Sequence, residues 1–277
     1  MFLSALVLLV GFSFMSKWYR FSPVNYPKEK SDFTITSYNV RLFNKYRWLD
    51  NDSVLSDIKK FANNDNPDIL CLQEFSDSGN DQFNNYPFRA IHYVNKKQSY
   101  GNAIFSKHPI IQSELIRFEN SDNNVIFADI QKEKDTIRIY SMHMQSIQIT
   151  EDIAKIESEL TQKKSEIIFK KLSNAFTKQQ KQAIILQNHI KKCNYPVILC
   201  GDLNNSAFSY VYRTIKGELN DAFEQAGKGF GKSYVFRYYP ARIDYIFYHQ
   251  SLHIKEFTTF HDIELSDHYP IKARFSF

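Results

Sequence analysis

Short apolar runs in this chain repeatedly end on a carboxylate, an amide or an imidazole. Thr34-Ile35-Thr36-Ser37-Tyr38 runs into Asn39, Asp68-Ile69-Leu70-Cys71-Leu72 into Gln73-Glu74, and the run from Ile137 to Met142 into His143. Val197-Ile198-Leu199-Cys200-Gly201 leads to Asp202-Leu203-Asn204, Asp244 sits inside an apolar run, and Ser266-Asp267-His268 stands just before the last one. Taken singly, several have a plain structural reading. Asp202 after a glycine suits a turn or a helix cap, Asn39 a strand end, and His143 a hydrogen-bonded core histidine. Asp244 and Glu74 fit that reading less well, because a carboxylate in apolar surroundings is costly unless it is paired. Together the residues form the inventory that phosphoester hydrolysis needs. A hard divalent cation takes carboxylate and amide oxygens and polarises a phosphoryl oxygen. A carboxylate or imidazole must accept a proton from water, and amide and imidazolium donors must hold the charged phosphorus centre. No glycine-rich phosphate loop, serine nucleophile elbow or HExxH pattern competes.

These groups act together only if rigid elements end at one place. Strands are expected at Phe33–Val40, Asp68–Gln73, Asn102–Ser106, Val125–Ile130, Thr136–Met142, Val197–Cys200, Arg242–Tyr248 and Ile271–Phe275, all short and rich in Ile, Val, Phe and Tyr. Val54–Asn63 reads as a helix closed by Asn66–Pro67, and the stretch from Glu151 to Lys192 carries apolar residues at helical spacing. Strands alternate with helices early and dominate late, which predicts a layered α/β domain with mixed sheets.

With 277 residues, 43% of them hydrophobic, the chain can bury a large core. The formal charge of +5 is compatible with a phosphate-bearing substrate or an anionic membrane but does not require nucleic acid. Lys163, Lys164, Lys170, Lys171, Lys178, Lys181, Lys191 and Lys192 cluster in the long helical stretch, where a solvated face explains them. Cys71, Cys193 and Cys200 are odd in number and lack metal-type spacing, so neither a disulfide framework nor a zinc site is expected.

The N-terminus is a separate matter. No charged side chain occurs from Met1 to Ser16, and Lys17, Trp18, Tyr19 and Arg20 follow. Aromatic residues and cations at the end of an apolar run suggest a membrane interface. The run is slightly shorter than the roughly 20 residues of a spanning helix. A cleaved signal is the rival reading, but no cationic segment precedes the run and no cleavage pattern follows. The expected organisation is a membrane anchor over 1–20, a linker over 21–31 and a globular domain over 32–277. Lys17, Arg20, Lys28 and Lys30 favour a cytoplasmic domain by positive-inside bias.

The ordered series Ser37-Tyr38-Asn39-Val40, Leu72-Gln73-Glu74, Tyr100-Gly101-Asn102-Ala103-Ile104-Phe105-Ser106, His143, Gly201-Asp202-Leu203-Asn204, Arg242-Ile243-Asp244-Tyr245 and Ser266-Asp267-His268-Tyr269-Pro270 resembles the endonuclease/exonuclease/phosphatase superfamily. That group includes DNase I-like nucleases, apurinic endonucleases and neutral sphingomyelinases. The resemblance implies a four-layer sandwich of two packed mixed β-sheets flanked by helices, and a Mg²⁺-dependent phosphoester hydrolase, with Mn²⁺ as an alternative ion. It implies Glu74 as the main metal ligand, with Asn39 beside it and Asp267 supporting. Asp202 would orient or deprotonate water, and Asn204 would hold a phosphoryl oxygen. His268, oriented by Asp244, would contact phosphate or move a proton, and Asn102 would contact substrate. His143 matches the DNase and sphingomyelinase branches, whereas the apurinic branch has Tyr there. The expected partners are a phosphoester substrate (a lipid head group, a small phosphoester or nucleic acid) and the membrane; no protein partner is inferred. A broad nuclease and a sphingomyelinase-type lipid phosphodiesterase are the alternatives among enzymes, and an inactive binding module is the non-enzyme alternative.

Overall fold

The computed structural model describes residues 11–12, 14–95, 98–147 and 162–277. In chain order the elements are β1 (Tyr19–Arg20), β2 (Phe33–Asn39), α1 (Val54–Asp65), β3 (Ile69–Ser76), β4 (Phe88–Asn95), β5 (Gln98–Ser106), β6 (Ile110–Arg117), β7 (Asn124–Lys132), β8 (Asp135–His143) and α2 (Gln162–Ile190). There follow β9 (Val197–Asp202), α3 (Tyr210–Lys216), β10 (Asn220–Asp221), α4 (Ala222–Ala226), β11 (Gly229–Phe230), β12 (Asp244–Tyr248), β13 (His253–Thr259) and β14 (Ile271–Ser276). Two six-stranded sheets result, ordered β13-β14-β2-β3-β5-β4 and β10-β12-β9-β8-β7-β6. Both are mixed: β2 and β3 are parallel, as are β8 and β9, while their other neighbours run antiparallel.

The apolar runs explain the layers. β2 and β9 are buried along their whole length, as expected for central strands covered on both faces. Ile35, Ile69, Cys71 and Ile104 of the first sheet meet Ile126, Ile139, Ile198, Cys200 and Ile246 of the second. On the outer faces, α1 packs Val54, Ile58 and Ala62 on Leu70, Leu72 and Phe105, and α2 packs Ala183, Leu186 and Ile190 on Phe127, Tyr140 and Leu199. The four-layer sandwich is the observed fold. Helix α1 stops where expected: Asn66 takes the left-handed conformation (φ 46°) and its N–H caps the Ala62 carbonyl, just before Pro67. Lys170, Lys171, Lys178 and Lys181 lie exposed along α2.

The stretch expected as a linker lies against the domain. β1 pairs with β11, the N–H of Val24 donates to the Ala226 carbonyl, and the N–H of Tyr26 to that of Lys255. Arg274 on β14 donates to the carbonyls of Pro27 and Tyr26 and to Asn25 Oδ1. Among the described residues no helix is long and apolar enough to cross a membrane. Most of the expected anchor, Met1–Val10 together with Ser13, lies outside the described residues.

Candidate active site

Glu74 is placed by a defect in the ladder. Leu72 pairs with Ala103 and Phe75 with Gly101, so Gln73 and Glu74 face the single residue Asn102. This β-bulge puts Glu74 at φ 48°, a conformation that costs a non-glycine residue energy, and re-aims its carboxylate. Asn39, at the end of the neighbouring strand β2, donates from Nδ2 to Glu74 Oε1 and to Asp202 Oδ2, both at 3.2 Å. One amide thus ties together carboxylates from the two sheets. Gln73, on the other side of the bulge, is fully buried and links the sheets behind them: its Nε2 donates to Ser141 Oγ at 2.8 Å and to Ser37 Oγ at 3.2 Å.

Register assembles the second sheet's contribution. The parallel β8–β9 pairing sets His143 opposite Asp202, and the antiparallel β9–β12 pairing sets Asp244 opposite the same Asp202. Gly201 precedes it at φ 126°, where an added Cβ would lie 2.1 Å from the Met142 carbonyl oxygen, so only glycine fits. His143 Nε2 stands 3.6 Å from Glu74 Oε1 and 3.7 Å from Asp202 Oδ2. His268 Nε2 lies 3.7 Å from Asp202 Oδ2, and its Nδ1 is hydrogen-bonded to Asp244 Oδ2 at 2.9 Å. The Tyr234 ring packs on the His268 imidazole at 5.0 Å, and Ser233 Oγ accepts from the N–H groups of Ile243 and Asp244.

Burial sets the electrostatics. Asp202 is 1% exposed, and loss of water around its carboxylate pushes its pKa up to about 8, against the pull of the His268 imidazolium. Burial alone would press His268 down, but the carboxylates of Asp244 and Asp202 outweigh it and hold the imidazolium well above the ordinary histidine range. Burial lowers His143 despite the nearby Glu74. The two histidines therefore differ: His268 is charged and His143 neutral. That division separates a proton donor from a neutral hydrogen-bonding group.

Asn39, Glu74, His143, Asp202, Asn204, Asp244 and His268 converge. Three of the expected residues take structural partners in this structure. Asn204, in the left-handed conformation at φ 53°, donates from Nδ2 to Asp202 Oδ2 and to the Met144 carbonyl, and its N–H donates to Asp202 Oδ1. Its donors orient Asp202. Asn102 is 1% exposed and donates from Nδ2 to the backbone carbonyl and Oδ1 of Asn124, the residue paired with His143. It supports the His143 strand. Asp267 pairs with Arg41 at 3.1 Å, and the Arg41 N–H donates to Asn39 Oδ1. It therefore reaches the Glu74–Asn39 group through Arg41. Gln73 was only weakly marked beside Glu74, and Arg41, Ser141 and Ser233 were not foreseen, because their types and spacing carry no pattern.

The donor set suits a hard cation. Glu74 offers a carboxylate whose side chain is 28% exposed, bracketed by the Asn39 amide, with the carboxylate of Asp202 beside it. Asp202, Asp244 and His268 also present ligand atoms within 4.8 Å of one another. In that second cluster, however, His268 Nδ1 is engaged by Asp244. That arrangement suits proton handling, and a hard, oxygen-seeking ion prefers carboxylate and amide oxygens to an imidazole.

Two sheets delivering carboxylates, amides and a charged imidazole to one edge define a phosphoester hydrolase. The chain belongs to the endonuclease/exonuclease/phosphatase family, whose model matches residues 36–268. Among solved structures it is similar to D. rerio TDP2 complexed with a single-strand DNA product, at 17% identity and a TM-score of 0.66, covering 90% of this chain and 100% of that one. It is similar to a mannosyl-6-phosphatase of Bacteroides thetaiotaomicron at 19% identity and a TM-score of 0.63, covering 88% and 100%. Truncated Caenorhabditis elegans TDP2 gives 19% and 0.62, covering 89% and 98%. At such identities the likeness shows a shared fold. No curated protein sequence matches the chain.

Proposed function

We propose that the chain hydrolyses phosphodiesters or small phosphomonoesters by attack of water on phosphorus, with Mg²⁺ held by Glu74 and Asn39 and Mn²⁺ as an alternative. The observation that carries this reading is the convergence of Asn39, Asn204, His143 and His268 on one carboxylate oxygen of Asp202. When bound, the cation would offset charge on a phosphoryl oxygen. Asp202, oriented by Asn204, accepts the proton of the attacking water in its ionised form, which a cation bound beside it would favour against the burial that raises its pKa. His268, held charged by Asp244, donates a hydrogen bond to the phosphoryl group, and His143 donates a further one. The fold relatives include a DNA-bound enzyme and a sugar phosphatase, which supports a phosphoester substrate at the level of class. A broad nuclease and a lipid phosphodiesterase remain the narrower alternatives. Tethering at a membrane through Met1–Tyr19 belongs to the same reading, supported by the uncharged run that Lys17, Trp18 and Tyr19 close.

The test compares bis-p-nitrophenyl phosphate with p-nitrophenyl phosphate, with Mg²⁺ and with chelator, in the parent chain and in Glu74→Gln. Hydrolysis should require the cation, and Glu74→Gln should lose most activity and bind Mg²⁺ more weakly by calorimetry while keeping its circular dichroism. Equal turnover in chelator, or unchanged Mg²⁺ affinity in the variant, overturns the metal assignment.

A further inference from the structure

We infer that the β1–β11 ribbon and the residues leading into it form a face that rests on a phospholipid bilayer, so that the catalytic domain is held in a fixed orientation and does not swing on a linker. This rests on the tether reading above but makes a separate claim. Phe12, Phe14, Trp18, Phe21 and Phe230 are 67, 48, 47, 71 and 40% exposed. Single exposed apolar residues are ordinary, but a contiguous group marks a contact surface. Trp18, Phe21 and Phe230 are contiguous through Tyr19: the Trp18 and Tyr19 rings lie 5.0 and 4.8 Å from Phe230, and Tyr19 lies 4.9 Å from Phe21.

The face is also rigidly mounted. Arg242, buried and paired with Asp221 at 2.7 Å, donates from Nη2 to the Lys17 carbonyl at 2.8 Å. Lys17 Nζ sits 5.3 Å from the Tyr212 ring, and Arg20 donates to the Gln225 carbonyl. Arg242 is two residues from Asp244, so the ribbon is fastened to the strand that orients His268.

Chemistry and continuity identify the occupant. No acidic side chain precedes Glu29, whereas Lys17, Arg20 and Lys28 do, and exposed Lys228 adjoins the β11 strand. Aromatic rings with cations beside them suit the head-group level of an anionic bilayer. The uncharged run from Met1 to Val10 leads directly into this face. A protein partner would leave that run unexplained.

The test uses the full chain with Trp48→Phe, which leaves Trp18 as the lone tryptophan. It is mixed with vesicles of equal parts phosphatidylcholine and phosphatidylglycerol, brominated either high in the acyl chains or near their ends. Trp18 emission should shift blue and be quenched about twofold by the shallow bromines and less by the deep ones. Phe21→Ser with Phe230→Ser should weaken partitioning by about tenfold. Vesicle binding with Trp18 unquenched, deep quenching exceeding shallow, or unchanged partitioning of the double variant overturns this inference and leaves the tether standing. Absence of any vesicle binding overturns both. Self-association that buries Trp18 without lipid assigns the face to a second copy and also overturns it.

Discussion

Replacing Asp244 by Asn tests whether the charge on His268 matters for the chemistry or only its position. Asparagine keeps the shape, and its Oδ1 can still accept from Nδ1, so the ring stays in place and the counter-charge is lost. The two groups are 2.9 Å apart and their side chains are 6% and 4% exposed. At an effective dielectric of about 20, unit charges at that spacing attract by roughly 6 kcal/mol. Breaking one partner out of a buried pair typically costs about 3–5 kcal/mol. Loss of the Asp244 charge should therefore lower the His268 pKa markedly. Asp202 at 3.7 Å retains the rest of the upward pull. A smaller share of the imidazole would then be charged, and kcat should drop by about 10²–10⁴ with KM little changed. Proton–nitrogen NMR of the imidazole reads the protonation state directly, alongside kcat on a diester. If His268 in the variant still titrates where the parent does, the electrostatic argument fails. If it is neutral and kcat holds at the parent value, the assigned role fails.

Further outcomes follow from the same contacts. Deleting residues 1–13 should leave the urea midpoint unchanged. Deleting 1–24 removes the Lys17 carbonyl from buried Arg242, the β1–β11 ladder and the Val24–Ala226 bond, and should cost about 2–4 kcal/mol; equal midpoints for the two truncations would show that the segment is only laid on the surface. Burial works to raise the Asp32 carboxyl, but the Glu29 N–H and the Arg274 guanidinium outweigh it and hold it below its ordinary value. A lowered folded-state pKa contributes stability above the unfolded value that is lost as pH falls through the folded one. Asp32→Asn should therefore be less stable than the parent by a constant margin from neutrality down to about pH 5, with the gap narrowing only as pH falls past the unfolded value of about 3.9 toward the lower folded one. A gap in chemical denaturation that does not narrow there would refute this.

Much of the architecture was legible because central strands state their burial in their composition. The eight expected strands are all present, and each sits where apolar residues run or alternate. The six strands not foreseen are the two-residue β1, β10 and β11 and the longer β4, β6 and β13, and all of them lie at sheet edges. Their exposure pattern is mixed, as in the polar-and-apolar run of β6 and in Lys255 and Glu256 of β13, so neither period stands out. At the site, Asp202, Asp244 and His143 could be read because a charged or titratable group ends or interrupts an apolar run. The partners of Asn204 and Asn102 could not. Which way an amide donates depends on where Met144 and Asn124 fall, and register decides that. The docking of residues 21–31 was hidden for a similar reason: Pro23 and Pro27 mark an irregular backbone equally well whether it is free or held by a distant Arg274.

The bulge at Glu74 has an evolutionary consequence. A left-handed residue that is not glycine forgoes about 1–2 kcal/mol, so glycine at position 74 would relax the backbone while deleting the carboxylate on which the proposed metal site depends. Selection for thermal tolerance alone would therefore favour variants that lose turnover.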